Sequence, residues 1–164
     1  MKIAIVYFSQ SGNTEKAAGF IKEGLLGAGE FDIKLMNISG ETSLDTGFLN
    51  ECAAVIIGTP VYMADMAWQL KKWFDTDHSV KLAGKLGGAF ATAGFVQGGM
   101  DTAVANVLHH MLVKGMLVYS SGTASGMPFL HLGPVAVAAE LDNSRELFVT
   151  FGKRFADKAK ELFD

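Results

Sequence analysis

The chain has 164 residues, of which 49% are hydrophobic and 19% charged, and its formal net charge is -3. This composition excludes a disordered chain, and this length suits one domain, residues 1–164, with a sheet covered by helices. So weak a charge argues against nucleic acid as a partner. No apolar run approaches the roughly 18 residues that a membrane span needs, which predicts a cytoplasmic protein without membrane insertion.

The cysteine and histidine content gives no sign of a metal site or a disulfide. Cys52 is the only cysteine, so no internal disulfide can form, and its apolar surroundings favour a buried, unreactive thiol. The four histidines lack the spacing of metal ligands on a helix and have no cysteine partners. We therefore predict no metal centre.

The first element is an unbroken apolar run, Ile3–Phe8, which predicts a strand buried on both faces. Polar residues 9–14 follow, and a helical pattern of apolar residues then runs from Ala17 to Ala28. A loop between a strand and a helix collects backbone N–H groups that favour an anion, and Gly12 can adopt the positive φ that such a loop often needs. Because this loop lacks the lysine of a triphosphate-binding loop and the glycines of a dinucleotide fingerprint, it predicts a site for one phosphate monoester. The alternative is an ordinary polar turn.

The rest of the chain alternates between strands and helices. Strands are predicted at Phe31–Ile38, Ala53–Gly58, Leu86–Ala93 and Met116–Ser120, and helices at Ala67–Thr76, at 101–114 with Asp101 as its cap, and from about Asn143 onward. Leu44–Asn50 is expected to be a short or irregular connection. This alternation predicts an α/β protein with a doubly wound, five-stranded parallel sheet and helices on both faces.

A long connection follows the fifth predicted strand. Residues 121–142 show no helical pattern, although Val135–Ala139 could form a short strand that extends the fifth. Connections of this length in compact domains are more often functional than idle. Neither this segment nor Trp68 has an evident place in a single core, which favours a homo-oligomer, either a dimer or a tetramer.

Three strand-end segments are expected to form one site. Ligands of doubly wound sheets bind outside the carboxyl ends of the strands. Residues 9–14, 59–66 and 92–100 all follow predicted strands, and all are polar, aromatic or rich in glycine. A flat ligand explains aromatic residues in two such loops somewhat better than loop packing does.

These segments also carry a resemblance. Ser9-x-Ser11-Gly12-x-Thr14 resembles the FMN-phosphate loop of the flavodoxin-like family. Gly58-Thr59-Pro60-Val-Tyr62, together with Thr92-x-Gly94 and Gly98-Gly99, is similar to the NAD(P)H:quinone oxidoreductase branch of that family. The similarity extends from the first residues to about Gly122. It implies that FMN is held through its phosphate by the first loop, with its isoalloxazine ring between the second and third.

The resemblance assigns a role to each matching residue. The phosphate role falls on Ser9, Gln10, Ser11, Gly12, Asn13 and Thr14. The ring role falls on Thr59, Pro60, Val61, Tyr62 and Met63 from one side, and on Thr92, Ala93, Gly94, Phe95 and Gly98 from the other. The cofactor carries the chemistry, so the only candidates for a catalytic side chain are Tyr62 and Lys114. Quinone reductases usually have Arg at Tyr62, Gly-Asn at Ala64–Asp65 and His at Lys114, and these departures leave the substrate open.

The resemblance implies an oxidoreductase that transfers two electrons from NAD(P)H to a quinone-like acceptor. One alternative is a flavodoxin-type electron carrier, although such carriers are, by resemblance, strongly acidic. A second alternative is a non-enzymatic regulatory module, because fold does not fix function.

The second loop bears on the number of electrons transferred. Electron carriers, by resemblance, turn a peptide of this loop when the flavin takes up one electron, often at a glycine. Residues 59–66 contain no glycine, Pro60 fixes its own φ, and positive φ at Val61, Tyr62 or Met63 would cost of order 1–3 kcal/mol. The sequence therefore predicts two-electron cycling.

Overall fold

The computed structural model describes residues 1–38 and 44–164, and in this part of the chain it has seven strands and five α-helices. The strands are β1 (Lys2–Tyr7), β2 (Asp32–Asn37), β3 (Ala54–Tyr62), β4 (Asp65–Met66), β5 (Leu86–Ala93), β6 (Leu117–Val118) and β7 (Val135–Val137). The helices are α1 (Asn13–Ala28), α2 (Thr46–Glu51), α3 (Trp68–Thr76), α4 (Met100–Val113) and α5 (Arg145–Phe163). None of these helices is both long and apolar enough to cross a membrane.

The main sheet is parallel, with the strand order β2-β1-β3-β5-β6. Strands β6 and β7 occupy the same edge: β6 pairs with Leu86 and Gly87 at the start of β5, and β7 pairs with Ala91–Ala93 at its end. The fifth position of the predicted sheet is therefore divided between two short strands. This confirms the expected doubly wound topology and a short strand that extends the fifth, but both are shorter than predicted: β6 spans only Leu117–Val118, and β7 ends at Val137, before a 3-10 turn at Ala138–Glu140.

Both faces of the sheet are buried, as the apolar run in β1 predicts. Ile3 and Ile5 lie in the core formed with α1 and α5, whereas Ala4 and Val6 lie in the core formed with α2, α3 and α4. Alternate residues of a strand point to opposite faces, so one continuous apolar run fills two cores. The carboxyl end of β1 is thus held rigidly in the middle of the protein.

Helix α1 is fixed against α5 by close contact between the two backbones. A Cβ atom on Gly24 would lie 2.1 Å from the carbonyl oxygen of Val149, and one on Gly152 would lie 2.3 Å from that of Ile21. Neither glycine can gain a side chain without moving a helix. This packing fixes the position of α1, and therefore of the loop that precedes it.

The structure corrects two helix boundaries. Leu44–Asn50 is not irregular: α2 begins at Thr46, and its cap is the Asp45 carboxylate, which accepts a hydrogen bond of 2.9 Å from the Phe48 N–H. Asp101 does not cap α4, because that helix begins one residue earlier, at Met100, with Gly99 as its N-cap. In the sequence, the only sign of α2 is its capping residue, Asp45, because a helix of six residues is too short to show an apolar period.

The third strand is also longer than the apolar run suggested. It continues four residues past Gly58 to Tyr62, and its last two residues pair antiparallel with β4. The segment predicted as a loop is therefore a β-hairpin. Its backbone is paired across the two strands by hydrogen bonds, as in a sheet, rather than forming an open turn.

Residues 121–142 have a clear place in the structure, contrary to the expectation that they lack one. Leu130 and Leu141 are buried in the core with α5. The guanidinium of Arg154 in α5 donates hydrogen bonds of 2.9–3.2 Å to the Ser121 hydroxyl and to four successive carbonyls, those of residues 125–128. One of the two grounds for predicting an oligomer is thereby removed. The other, Trp68, remains 63% exposed.

Candidate functional site

The first predicted loop lies at the start of α1, as expected for a phosphate site. Gly12 is the N-cap residue and has a φ of +88°, a left-handed conformation that favours glycine. Beyond its own chain neighbours, no protein atom lies within 4 Å of where its Cβ would be, so the space beside it is open. The backbone N–H groups at the start of α1 and the dipole of that helix together make this position suitable for an anion.

The base of this loop is held by Asn37 at the end of β2. The Asn37 amide donates 2.9 Å to the Ser9 carbonyl and accepts 3.1 Å from the Ser9 N–H. These two bonds continue the pairing of β1 with β2 by one more residue, through a side chain. The Ser9 hydroxyl accepts from the Glu15 N–H at 3.3 Å, so Ser9 supports the loop from below rather than lining it.

A tyrosine–glutamate pair lies under the same loop. The Tyr7 hydroxyl donates to Glu15 Oε1 at 3.1 Å. Burial, reinforced by the Glu15 carboxylate, raises the pKa of Tyr7 to about 12. Tyr7 therefore stays neutral and keeps donating at any physiological pH.

The first and third loops are joined by two buried threonines. The hydroxyls of Thr14 and Thr92 are 2.9 Å apart, and both residues are almost fully buried. A buried hydroxyl pair fixes the separation of the two loops, because breaking it would leave a polar group without a partner. The two sides of the site are thus held at a set distance.

Two adjoining cavities lie between the loops, one with a mixed lining that includes most of the polar side chains, here called the polar cavity, and one largely apolar. The polar cavity, of about 210 Å³, is lined by Gln10, Ser11, Asn13, Thr14, Pro60, Val61, Tyr62, Thr92, Ala93, Gly94 and Ala138. The apolar cavity, of about 420 Å³, is lined by Val61, Tyr62, Met63, Ala64, Ala93, Gly94, Phe95 and Gly98. A ligand with a polar tail and a flat apolar head matches this pair of spaces.

The structure brings the predicted residues together at these cavities, with few exceptions. All of them line one cavity or the other apart from Ser9, Gly12, Thr59 and Lys114. Thr59 is fully buried, and its hydroxyl accepts from the Ala67 N–H at 2.9 Å and so ties the hairpin to the start of α3. Two lining residues were missed, Ala64 and Ala138. The rule that ligands meet strand ends would have found Ala138, which directly follows β7.

Lys114, one of the two candidates for a catalytic side chain, does not lie at the site of its own chain. It is the C-cap of α4, and the N-terminus of that helix is at the cavities. A helix of fourteen residues is roughly 20 Å long. Because helix and strand run in opposite directions, Lys114 lies at the far end of the sheet.

The hairpin contains the least expected backbone geometry. Val61 pairs with Met66 and Tyr62 with Asp65, so the connection is the two residues Met63 and Ala64, with φ values of +51° and +62°. Two-residue hairpins favour positive φ at both positions, where Asn-Gly is the usual sequence. Here neither residue is glycine, and each carries a cost of order 1–3 kcal/mol. Positive φ, which the sequence analysis counted as a cost at Val61, Tyr62 and Met63, is therefore present at Met63.

The rim of the site is apolar and uncharged. Met63 is 100% exposed and Phe95 63% exposed, while Tyr62 leans edge-on against Phe8 at 6.1 Å between ring centroids. None of residues 9–14, 59–64 and 92–100 is Asp, Glu, Lys or Arg. The solvent-facing edge of a ligand in the apolar cavity would therefore be surrounded by uncharged side chains.

Known proteins match most or nearly all of the chain. The flavodoxin domain family matches residues 4–114. A flavodoxin from Clostridium saccharobutylicum is 44% identical over 163 residues, covering 99% of this chain and 100% of that protein. An NAD(P)H dehydrogenase (quinone) from Chromohalobacter salexigens is 27% identical over 139 residues, covering 71% of this chain and 69% of that protein.

Solved structures agree in fold. The flavodoxin, WrbA-like protein from Agrobacterium tumefaciens has a TM-score of 0.80 at 25% identity, covering 98% of both chains. A flavodoxin from Fusobacterium nucleatum, solved with FMN bound, has a TM-score of 0.67 at 16% identity, covering 98% of this chain and 95% of that one. The expected fold and the expected FMN cofactor are those of this family. The chain belongs to the flavodoxin family.

Proposed function

We propose that this protein is a flavodoxin-type electron carrier, which binds FMN and exchanges electrons with partner proteins without a substrate of its own. The relative with 44% identity matches along its whole length and is named a flavodoxin. The relatives named quinone dehydrogenases are distant, at 26–28% identity. These similarities support the carrier over the oxidoreductase that the sequence motifs first suggested.

The observation that carries this proposal is the backbone of the Met63–Ala64 turn. Two-electron cycling was predicted because positive φ in this loop seemed too costly. Of the three positions named in that argument, Met63 has positive φ in this structure and Val61 and Tyr62 do not, while the neighbouring Ala64 has it as well. The sequence argument against one-electron transfer is therefore weaker at Met63, and two-electron cycling stays a prediction for the titration below to test.

Each cavity has a separate task in this proposal. The N–H groups of residues 10–14 and the hydroxyls of Ser11 and Thr14 would hold the phosphate, and the apolar cavity beside Tyr62 and Phe95 would hold the ring and exclude water from it. FMN, when bound, supplies the redox chemistry. Because no cation lies in the first loop, the phosphate would be held by dipoles and hydrogen bonds alone.

The second candidate is an NAD(P)H:quinone oxidoreductase that works as a homo-oligomer. The observation in its favour is the net charge of only -3, since a carrier of the strongly acidic kind would have a larger negative charge. The 63% exposed Trp68 gives a surface for a second subunit. In this alternative, NAD(P)H and a quinone-like acceptor would use the open face of the ring in turn.

Anaerobic reduction of the FMN-loaded protein tests the two candidates against each other. We expect two resolved one-electron steps in a potentiometric titration, and no bleaching of the flavin by NADH or NADPH alone. A single two-electron step, together with rapid quinone reduction by NADH or NADPH, would instead establish the oxidoreductase. If the protein did not bind FMN at all, both candidates would be excluded, and the non-enzymatic regulatory module would be the remaining hypothesis.

Riboflavin provides a matched control for the first loop. It has the same ring as FMN but no phosphate, so it should bind much more weakly if the N–H groups of residues 10–14 hold that phosphate. Fluorescence quenching on binding measures both affinities. Equal affinities would place the phosphate outside this loop.

A further inference from the structure

The Met63–Ala64 turn is held in place by helix α4, and we propose that Asp65 and Asn106 form a positioning pair that fixes this turn beside the FMN ring. The inference rests on the proposed FMN site and adds to it two residues outside the cavity linings described above. Neither residue needs to touch the cofactor. Their role would be to hold the backbone that does.

The pair is a direct hydrogen bond between the hairpin and the helix. The Asn106 side-chain amide donates to Asp65 Oδ1 at 2.8 Å. The same oxygen accepts from the Met66 N–H at 2.6 Å, so it shapes the hairpin locally as well. One oxygen of Asp65 thus binds both the backbone of the hairpin, at Met66, and helix α4, at Asn106.

A second contact from α4 supports the turn at its tip. Gly99, the N-cap of α4, has a φ of +93°, and a Cβ there would lie 2.8 Å from Ala64 Cα. Ala64 is therefore seated directly against the helix N-terminus. Gly99 limits movement of the turn toward α4, and the Asp65–Asn106 bond limits movement away from it.

The hairpin needs this external support because its own ladder is short. Only two residue pairs, Val61 with Met66 and Tyr62 with Asp65, hold the strands together. Strained backbone persists only where surrounding structure over-determines it. Since neither Met63 nor Ala64 is glycine, the contacts with α4 are what keep positive φ favourable at the edge of the apolar cavity.

Reversing the hydrogen bond gives a sharp test. In Asn106→Asp two carboxylates face each other and the bond is lost, whereas Asp65→Asn keeps an acceptor for both Met66 and Asn106. The double variant, Asp65→Asn with Asn106→Asp, removes the repulsion: the amide oxygen of residue 65 still accepts from the Met66 N–H, and its amide nitrogen can rotate toward residue 106 and donate to the new carboxylate. His109→Asp adds a carboxylate at an exposed position of the same helix and controls for charge.

Two quantities should change together in the FMN-loaded protein. We expect Asn106→Asp to weaken FMN binding about ten-fold and to bring the two one-electron midpoint potentials closer together, because a charge-assisted hydrogen bond is replaced by repulsion. The double variant should recover to within about three-fold of the wild-type affinity, with the wild-type separation of potentials. His109→Asp should stay within about two-fold, whereas Asp65→Asn, which keeps the hydrogen bond but loses its charge, should fall between the wild type and Asn106→Asp.

The proposal fails if Asn106→Asp keeps the wild-type affinity and potentials, or if the double variant is no better than Asn106→Asp. Should Asn106→Asp not fold, Asn106→Ala removes the donor without repulsion and should still narrow the separation of potentials. An unchanged separation in a folded Asn106→Ala variant would also overturn it. These outcomes differ from failure of the proposed function, in which the wild-type protein itself would show one two-electron step.

Discussion

The proposed phosphate loop, residues 9–14, and the proposed ring hairpin, residues 61–66, adopt positive φ in opposite ways. In the first, the left-handed position is Gly12, and the space around its missing side chain is open. In the second, the left-handed positions are Met63 and Ala64, which are held by the contacts of Asp65 and Ala64 with α4. The geometry of the first loop is encoded locally, and that of the second is imposed by tertiary structure.

This difference predicts that the first loop is the more rigid part of the site and the hairpin the more adjustable part. A glycine adopts positive φ without strain, so the conformation of Gly12 itself should not depend on tertiary contacts, although Asn37 holds the base of its loop. A strained turn returns to another conformation once its supports weaken. Mutations at a distance can therefore change the geometry of the hairpin more easily than that of the first loop. In the proposed FMN complex, such mutations would affect the contacts of the ring rather than those of the phosphate.

Substitution at Gly99 should break the imposed geometry most severely. Gly99→Ala would place a Cβ 2.8 Å from Ala64 Cα at a φ of +93°, combining a backbone clash with strain. We expect the free energy of unfolding to fall by about 3 kcal/mol in chemical denaturation. Gly84→Ala, at a φ of +79° with no protein atom within 4 Å, carries strain alone and should lose only about 1 kcal/mol. Equal losses would show that Ala64 is not braced by Gly99.

Substitution at Gly12 should break the locally encoded loop. Gly12→Val forces a β-branched residue to a φ of +88°, at a cost of order 1–3 kcal/mol, so FMN affinity should fall roughly ten- to hundred-fold by fluorescence titration. Gly19→Val is the matched control, since Gly19 has equally open surroundings but lies within α1. If both variants bind FMN as the wild type does, the phosphate loop is assigned to the wrong residues.

The smallest effect should come from relaxing the hairpin. Ala64→Gly relieves about 1–2 kcal/mol of left-handed strain but adds freedom to the unfolded chain, so a net gain of about 0.5 kcal/mol in unfolding free energy is expected. Ala105→Gly, within α4, should instead lose about 1 kcal/mol. A loss at Ala64 as large as the loss at Ala105 would mean that the turn is not strained.

The sequence predicted the fold and the strand–loop–helix geometry around residues 9–14 because both depend on local patterns. The apolar run before residue 9, the glycine at residue 12 and the helical period after it identify strand, turn and helix without reference to the rest of the chain. Strand-end rules then bring residues 59–66 and 92–100 to the same edge. The cavities are lined as those rules require.

The hairpin could not be predicted, because Met63 and Ala64 carry no turn signal. Asn-Gly at these positions would have indicated a two-residue connection, but here the fold overrides local preference. The partners that permit this, Gly99 and Asn106, lie more than thirty residues away along the chain. Only the structure shows that α4 and the hairpin meet.

The contacts of Arg154 have a consequence for evolutionary change in this protein. Four of the five groups that its guanidinium binds are main-chain carbonyls, and only the Ser121 hydroxyl belongs to a side chain. A main-chain carbonyl is present whatever residue occupies the position, so the bonds themselves require no particular side chain at residues 125–128; Gly126, with a φ of +81°, is the one of them whose conformation favours a particular residue. These surface positions can therefore diversify, and acquire new recognition properties, while one distant arginine preserves the path of the chain.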